Sequence, residues 1–153
     1  MNDEKHYGII GVILLIAIVV AVATSVFLYM NEMQEQSHVK EVTPSEFSDM
    51  IDNVSCWCSF HIIDVRTPEE YIDFHISNGS TNVPWGDSFR SDMEYFFDEY
   101  GDDTFVVYCN KGIKSLEAAQ VMYDIGYRDL YSLEGGIERW IQEGYLSYVV
   151  IGG

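Results

Sequence analysis

The run Thr104-Phe105-Val106-Val107-Tyr108-Cys109-Asn110-Lys111-Gly112-Ile113-Lys114-Ser115 decides how this chain folds. Its first five residues are all β-branched or aromatic, the composition of a buried strand. From about Ser115 the period changes: Leu116, Ala119, Met122 and Ile125 recur at helical spacing, and Gly126 ends the run. A strand, a short loop and a helix in that order form half of a parallel crossover unit. Cys109 stands where the strand gives way to the loop.

The same alternation continues on both sides. Thr43-Pro44-Ser45-Glu46 is a capping box with Pro at the first helical position, and predicts a short helix to about Asn53. Phe60 to Val65 reads as a buried strand. Thr67-Pro68-Glu69-Glu70 repeats the cap and opens a helix through about Phe74. Asn78-Gly79-Ser80 is turn chemistry, and Val83-Pro84 closes a short extended piece. Ser91 to Tyr100 reads as a helix stopped by Gly101. Asp129 to Leu133 is a strand, Gly135-Gly136 a turn, and Ile137 to Glu143 a last helix before Gly144. Strands alternating with helices predict an α/β fold, with a parallel sheet covered on both faces.

The 153 residues divide into an anchor and one domain. After a short tail over residues 1–7, residues 8–30 carry no charge and are rich in Ile, Leu, Val and Ala. As a helix they would extend about 34 Å, enough to cross a hydrocarbon core of about 30 Å. Ala21-Val22-Ala23 is similar to a signal-peptidase site, yet apolar residues continue past it to Met30. The run also exceeds the usual apolar region of a signal, about 7–15 residues, so an uncleaved transmembrane helix is expected. Lys5 and the amino terminus precede the span and Lys40 follows it, a small bias that places the domain outside the cytoplasm. Residues 31–38 read as a juxtamembrane linker, 39–147 as the domain, and 148–153 as a frayed tail.

The formal charge is −17, from 25 acidic and 8 basic residues. Such a surface repels phosphates, so nucleic acid is excluded as a partner. The three cysteines, Cys56, Cys58 and Cys109, do not make a disulfide scaffold. Cys56-Trp57-Cys58 lacks the spacing of a zinc site, and neither a metal nor a cofactor is expected. Both thiols are expected to pack ahead of the Phe60 strand, as free cysteines commonly do.

Cys109 is the one strong nucleophile at the carboxyl end of a strand, where ligands of open parallel sheets bind. The loop Asn110-Lys111-Gly112-Ile113-Lys114 can curl around the sulfur and aim backbone N–H groups at it. The dipole of the following helix and the ammonium groups of Lys111 and Lys114 add positive potential. All three favour thiolate over thiol, where an ordinary cysteine is only about 3% ionised at pH 7.

Cys109-Asn110-Lys111-Gly112-Ile113-Lys114-Ser115 resembles the active-site loop of single-domain rhodaneses, Cys-x-x-Gly-x-Arg-Ser, with Lys114 in place of Arg. Ile63-Asp64-Val65-Arg66-Thr67-Pro68-Glu69-Glu70-Tyr71 and Leu133-Glu134-Gly135-Gly136-Ile137-Glu138-Arg139-Trp140 are similar to two further family segments. His75-Ile76 through Asn82-Val83-Pro84 matches a fourth, one residue longer and without its first Pro. The resemblance covers about Val39 to Tyr145. It implies a five-stranded parallel sheet between helices, with Cys109 catalytic and Asn110, Lys111, Gly112, Ile113, Lys114 and Ser115 binding the substrate. It also implies sulfur transfer from thiosulfate, a persulfide or a polysulfide to a thiol, cyanide or a protein acceptor. Lys114 keeps a charge near the sulfur but loses the planar fork of Arg, which should weaken bidentate recognition of an oxyanion.

Asp64 and Arg66 are expected to support the strand end through hydrogen bonds, and His75 to be a satisfied structural imidazole. Two other functions compete with sulfur transfer. Phosphatase relatives of the family enclose phosphate with Cys-x5-Arg, whereas here the sixth residue after Cys109 is Ser115. A non-catalytic interaction module at the membrane is the other, and retention of Cys109 argues against it.

Overall fold

The structure is a computed structural model that describes residues 15–28, 38–77 and 79–152. The chain forms two units, residues 1–37 and 38–153. In the first, residues 15–28 form helix α1, whose large apolar side chains, Leu15 to Leu28, are all more than half exposed. The rest of the expected 8–30 span and most of the linker lie outside the described residues. Among the described residues no helix is long and apolar enough to cross a membrane. His38, assigned to the linker, instead belongs to the second unit, where it stacks on Tyr123.

The second unit is built on a five-stranded sheet. Its strands are β1 (Lys40–Val42), β2 (Phe60–Asp64), β4 (Ser80–Asn82), β5 (Thr104–Tyr108) and β6 (Asp129–Leu133). They lie in the order β1-β6-β5-β2-β4, and every pairing is parallel. The connecting helices are α2 (Pro44–Asp52), α3 (Pro68–Asp73), α4 (Phe89–Tyr100), α5 (Ile113–Ile125) and α6 (Gly136–Gln142). Both expected capping boxes form: Thr43 with Glu46, and Thr67 with Glu70.

The period-2 alternation of β5 sorts its side chains between two cores. Phe105, Val107 and Cys109 face Phe89 and Met93 of α4 and Ala118, Ala119 and Met122 of α5. Val106 and Tyr108 face Phe47 and Ile51 of α2 and Ile137 and Trp140 of α6. Full burial of an apolar side chain of this kind contributes about 1.5–3 kcal/mol, so the central strand is pinned from both faces.

Two expectations from the sequence do not hold in the fold. Residues 148–151 are not frayed: β7 (Val149–Ile151) pairs antiparallel with β3 (Phe74–Ile76). β3 leaves α3 with an unpaired edge, and a β-branched run of three residues fits it. Cys56 and Cys58 are not packed away either; both are exposed and joined in a disulfide. The ring of Phe60, not the thiols ahead of it, enters the core.

The topology also fixes where a ligand can sit. From β2 the chain moves outward to β4 at one edge, while from β5 it moves through α5 to β6 on the other side. Neighbouring strands whose connections depart in opposite directions open a crevice at their carboxyl ends. That crevice lies between the residues after Asp64 and those after Tyr108.

Candidate functional site

A hollow of about 350 Å3 occupies the crevice. Val65, Arg66, Thr67 and Glu70 line it from the β2 side, Pro84 and Trp85 form a wall, and Glu138 of α6 lies on its border. Cys109, Asn110, Lys111, Ile113 and Lys114 complete it from the β5 side. Cys109 is 3% exposed, so the residue is buried except where it meets the hollow.

The loop closes on the sulfur through one backbone donor. The Gly112 N–H donates to Cys109 Sγ at 3.1 Å, made possible by a left-handed Gly112 with φ of 88°. Helix α5 starts at Ile113, two residues earlier than the periodicity indicated, so Lys114 lies in its first turn. That turn carries no acidic residue of its own, and Glu41, Glu117 and Glu134 line a separate hollow beside Gly112 and Ile113. Lys111 and Lys114 are exposed, and neither makes an ion pair among the described residues.

Ser115 departs from its expected role. It is fully buried, donates to Gly112 O at 2.9 Å and shares a 2.9 Å hydrogen bond with Ser132 Oγ. The Cys109 thiol donates to its hydroxyl at 3.6 Å. Ser115 therefore braces the loop from behind and does not face the hollow. Gly112 likewise stays off the wall and acts through its N–H.

Asp64 and Arg66 form a buried pair. Arg66 Nη2 donates to Asp64 Oδ2 at 2.7 Å, and the Arg66 N–H donates to Asp64 Oδ1 at 2.8 Å. Burial works against the guanidinium charge, but Asp64 outweighs it and holds the group above its ordinary range. Arg66 Nη2 also donates to Phe74 O at 2.6 Å, tying the crevice to β3. His75 shares a hydrogen bond with Tyr71 O at 3.0 Å and stacks on the Tyr71 ring, away from the hollow.

Three participants were not legible as site residues. Trp85 is placed by its N–H, which donates to Val65 O at 2.9 Å. Glu70, read only as a cap, also accepts from Asn110 Nδ2 at 2.6 Å. Glu138 follows the Gly-Gly turn, read only as turn and core. The signal lay in that turn: Ile137 N–H donates to Cys109 O at 2.9 Å, and Glu138 N–H to Asn110 O at 3.1 Å. A Cβ on Gly136 would come within 2.3 Å of Cys109 O and 2.5 Å of Asn110 O, so only glycine allows this approach.

The arrangement presents a sulfur nucleophile at the floor, one aimed N–H, and a rim of cations and carboxylates. No histidine lines the hollow among the described residues. It therefore suits attack on sulfur whose leaving group departs as a stable anion, with no proton needed from an imidazole.

The family profile described as "Rhodanese-like domain" matches residues 43–143. The chain is 32% identical over 102 residues to the probable adenylyltransferase/sulfurtransferase MoeZ of Mycobacterium tuberculosis, which covers 67% of this chain and 24% of MoeZ. It thus spans about a quarter of that relative. Against the thiosulfate sulfurtransferase GlpE of Vibrio cholerae the identity is 30%, over 52% of this chain and 71% of GlpE. A rhodanese-related protein from Thermoplasma volcanium superposes with a TM-score of 0.53 at 26% identity, covering 72% of this chain and 97% of that one.

Two substitutions test the geometry. Gly136→Ala places a side chain at φ of 61° against the Cys109 loop. Urea unfolding should show a loss of about 1–3 kcal/mol from backbone strain alone, with more from the clash. Hydrogen bonds from Asn110 and then from the Thr67 backbone hold the Glu70 carboxyl below its ordinary value of 4.5. Its contribution is present above that value and lost as pH falls through the depressed folded one. Glu70→Gln, which keeps the cap, should be less stable than wild type near neutrality. Urea midpoints measured across pH should converge under acid.

Proposed function

The chain belongs to the rhodanese-like domain family, and from that premise we propose that it is a sulfurtransferase working through a persulfide on Cys109. The observation that carries the reading is Cys109 Sγ at the floor of the hollow with the Gly112 N–H aimed at it. Relatives named as sulfurtransferases support the same chemistry.

The thiolate of Cys109 attacks the outer, sulfane sulfur of a donor such as thiosulfate or a persulfide. The bond from that sulfur to the rest of the donor breaks, and sulfite or a thiolate leaves with the electron pair. A thiol or cyanide then attacks the outer sulfur of Cys109-S-SH and regenerates the thiolate. The reaction is covalent catalysis in two displacements. The Gly112 N–H and the start of α5 stabilise negative charge on the bound sulfur as an oxyanion hole does on oxygen. Lys111 and Lys114 draw the anionic donor to the rim against the overall acidity of the protein. Arg66, engaged by Asp64, shapes the wall. Phosphoester hydrolysis is disfavoured because the position of the family's phosphate-clamping Arg is Ser115, fully buried behind the sulfur.

Incubation with thiosulfate or polysulfide should add about 32 Da to the intact chain, as a covalent sulfur intermediate requires. The adduct should be removed by cyanide or reductant and be missing in Cys109→Ala. No adduct with any donor would favour an interaction module.

We also propose that residues 8–30 tether the domain to a membrane. Within the described part, Thr24 and Ser25 turn their hydroxyls back onto Ala21 O at 2.9 and 2.8 Å, hiding the polar groups of an otherwise apolar helix. The full chain should sediment with membranes after alkaline carbonate washing and be released by detergent. A chain lacking residues 1–37 should stay in the supernatant. Recovery of the full chain in the carbonate supernatant would end the proposal.

A further inference from the structure

A second sulfur site lies at the opposite end of the sheet. Cys56 and Cys58 sit between α2 and β2, both exposed, and their disulfide closes over a single intervening residue. A loop that short constrains the unfolded chain very little, so this bond is poorly suited to holding the fold together. An exposed bond of this kind is open to attack by thiols, where a buried structural one is not.

Its surroundings give the two sulfurs different chemistry. The Cys58 N–H donates to Cys56 Sγ at 3.3 Å. A donor aimed at that sulfur stabilises it as a thiolate and makes it the better leaving group. Beside the bond, Trp57 packs edge-on to Phe60 with ring centroids 5.7 Å apart. Trp57, Phe60, His61 and Tyr148 line an open hollow, which reaches the disulfide only through Trp57, since neither Cys56 nor Cys58 lines it; its volume is about 490 Å3. That is within the range that accepts a small organic molecule.

Phe60 pairs with Thr104 at the amino end of the strands, and Asp64 with Tyr108 at the carboxyl end. Four residues of strand separate the ends by about 13 Å, and Cys56 and Cys109 lie beyond opposite ends. The two sulfur sites of one chain cannot exchange directly.

We infer that Cys56–Cys58 is a redox-active disulfide that exchanges with low-molecular-weight thiols docked against Trp57. An incoming thiolate attacks Cys58 Sγ, the Cys56–Cys58 bond breaks, and its electron pair leaves on Cys56 Sγ beneath the Cys58 N–H. A second thiol then attacks the thiol-derived sulfur of the mixed disulfide and releases Cys58. Two thiols are oxidised to one disulfide, and Cys56 and Cys58 are left as a reduced pair carrying the two protons.

Differential alkylation of the full chain with peptide mapping tests this, with 2-mercaptoethanol as the thiol. Cys56 and Cys58 should resist iodoacetamide as prepared and take up label after native-state reduction. They should be protected again after reoxidation by hydroxyethyl disulfide. Reduction should reversibly change tryptophan emission, and the change should vanish in Trp57→Phe. At neutral pH, Cys56 in Cys58→Ser should alkylate at least about threefold faster than Cys58 in Cys56→Ser. The Cys56→Ser/Cys58→Ser double variant should load sulfur on Cys109 like wild type, which separates this site from the one above. Labelling without reductant, or reduction only on unfolding, would overturn the inference. Equal or reversed alkylation rates would overturn the assignment of Cys56 as leaving group.

Discussion

The site depends on one backbone-to-backbone contact, that of the Gly135-Gly136 turn on the loop after Cys109. Residues 137 and 138 donate their N–H groups to the carbonyls of Cys109 and Asn110, and Gly136 lies too close to those carbonyls to carry a side chain. On the other side, a Cβ on Gly112 would come within 3.0 Å of Gly135 N and 3.2 Å of Leu133 O. Loop and turn are thus locked at glycine positions in both directions. With the carbonyls of Cys109 and Asn110 satisfied by α6, the loop can turn the Gly112 N–H inward to the sulfur. A conventional β-turn would have spent that donor on a carbonyl.

The same contact explains what could be read from the sequence. β5, both capping boxes and β6 were legible because each rests on local chemistry: β-branched runs, cap side chains and bounding glycines. The Cys109 loop was legible because a nucleophile at a strand end precedes a short, doubly basic loop containing glycine. Glu138 and Trp85 were not, since they reach the hollow only through pairing with residues 28 and 20 positions away, Asn110 and Val65. β7 was missed for the same reason. Val149-Val150-Ile151 resembles any short apolar tail until β3 supplies an edge, and that edge exists only because α3 ends at Asp73.

Cys56 and Cys58 went wrong through a different cause. The tendency of free cysteines to be buried was applied to a loop whose neighbours, Asn53, Ser55 and Ser59, all face solvent. Burial is a property of the surroundings, and here the ring of Phe60 takes the apolar role while Trp57 and both sulfurs remain exposed. Ser115 shows the converse error. Resemblance to the family's active-site loop implied substrate contact, yet its hydroxyl is committed to Gly112 O and Ser132.

Charge at the crevice is more balanced than the loop alone implied. Lys111 and Lys114 are positive, but Arg66 is paired with Asp64, and Glu70 and Glu138 also line the hollow. In the proposed reaction, charge on the sulfur is therefore stabilised from sources closer than the rim: the Gly112 N–H and the first turn of α5. Both are fixed parts of the backbone and would need no reorganisation during the proposed transfer, as charge moves onto the outer sulfur. The lysines, being exposed, act over distances that salt screens within about 8 Å, so their proposed part is to set how anions arrive. On the proposed reading, division of labour between a rigid inner donor and a screened outer rim is what lets a chain of net charge −17 take an anionic sulfur donor.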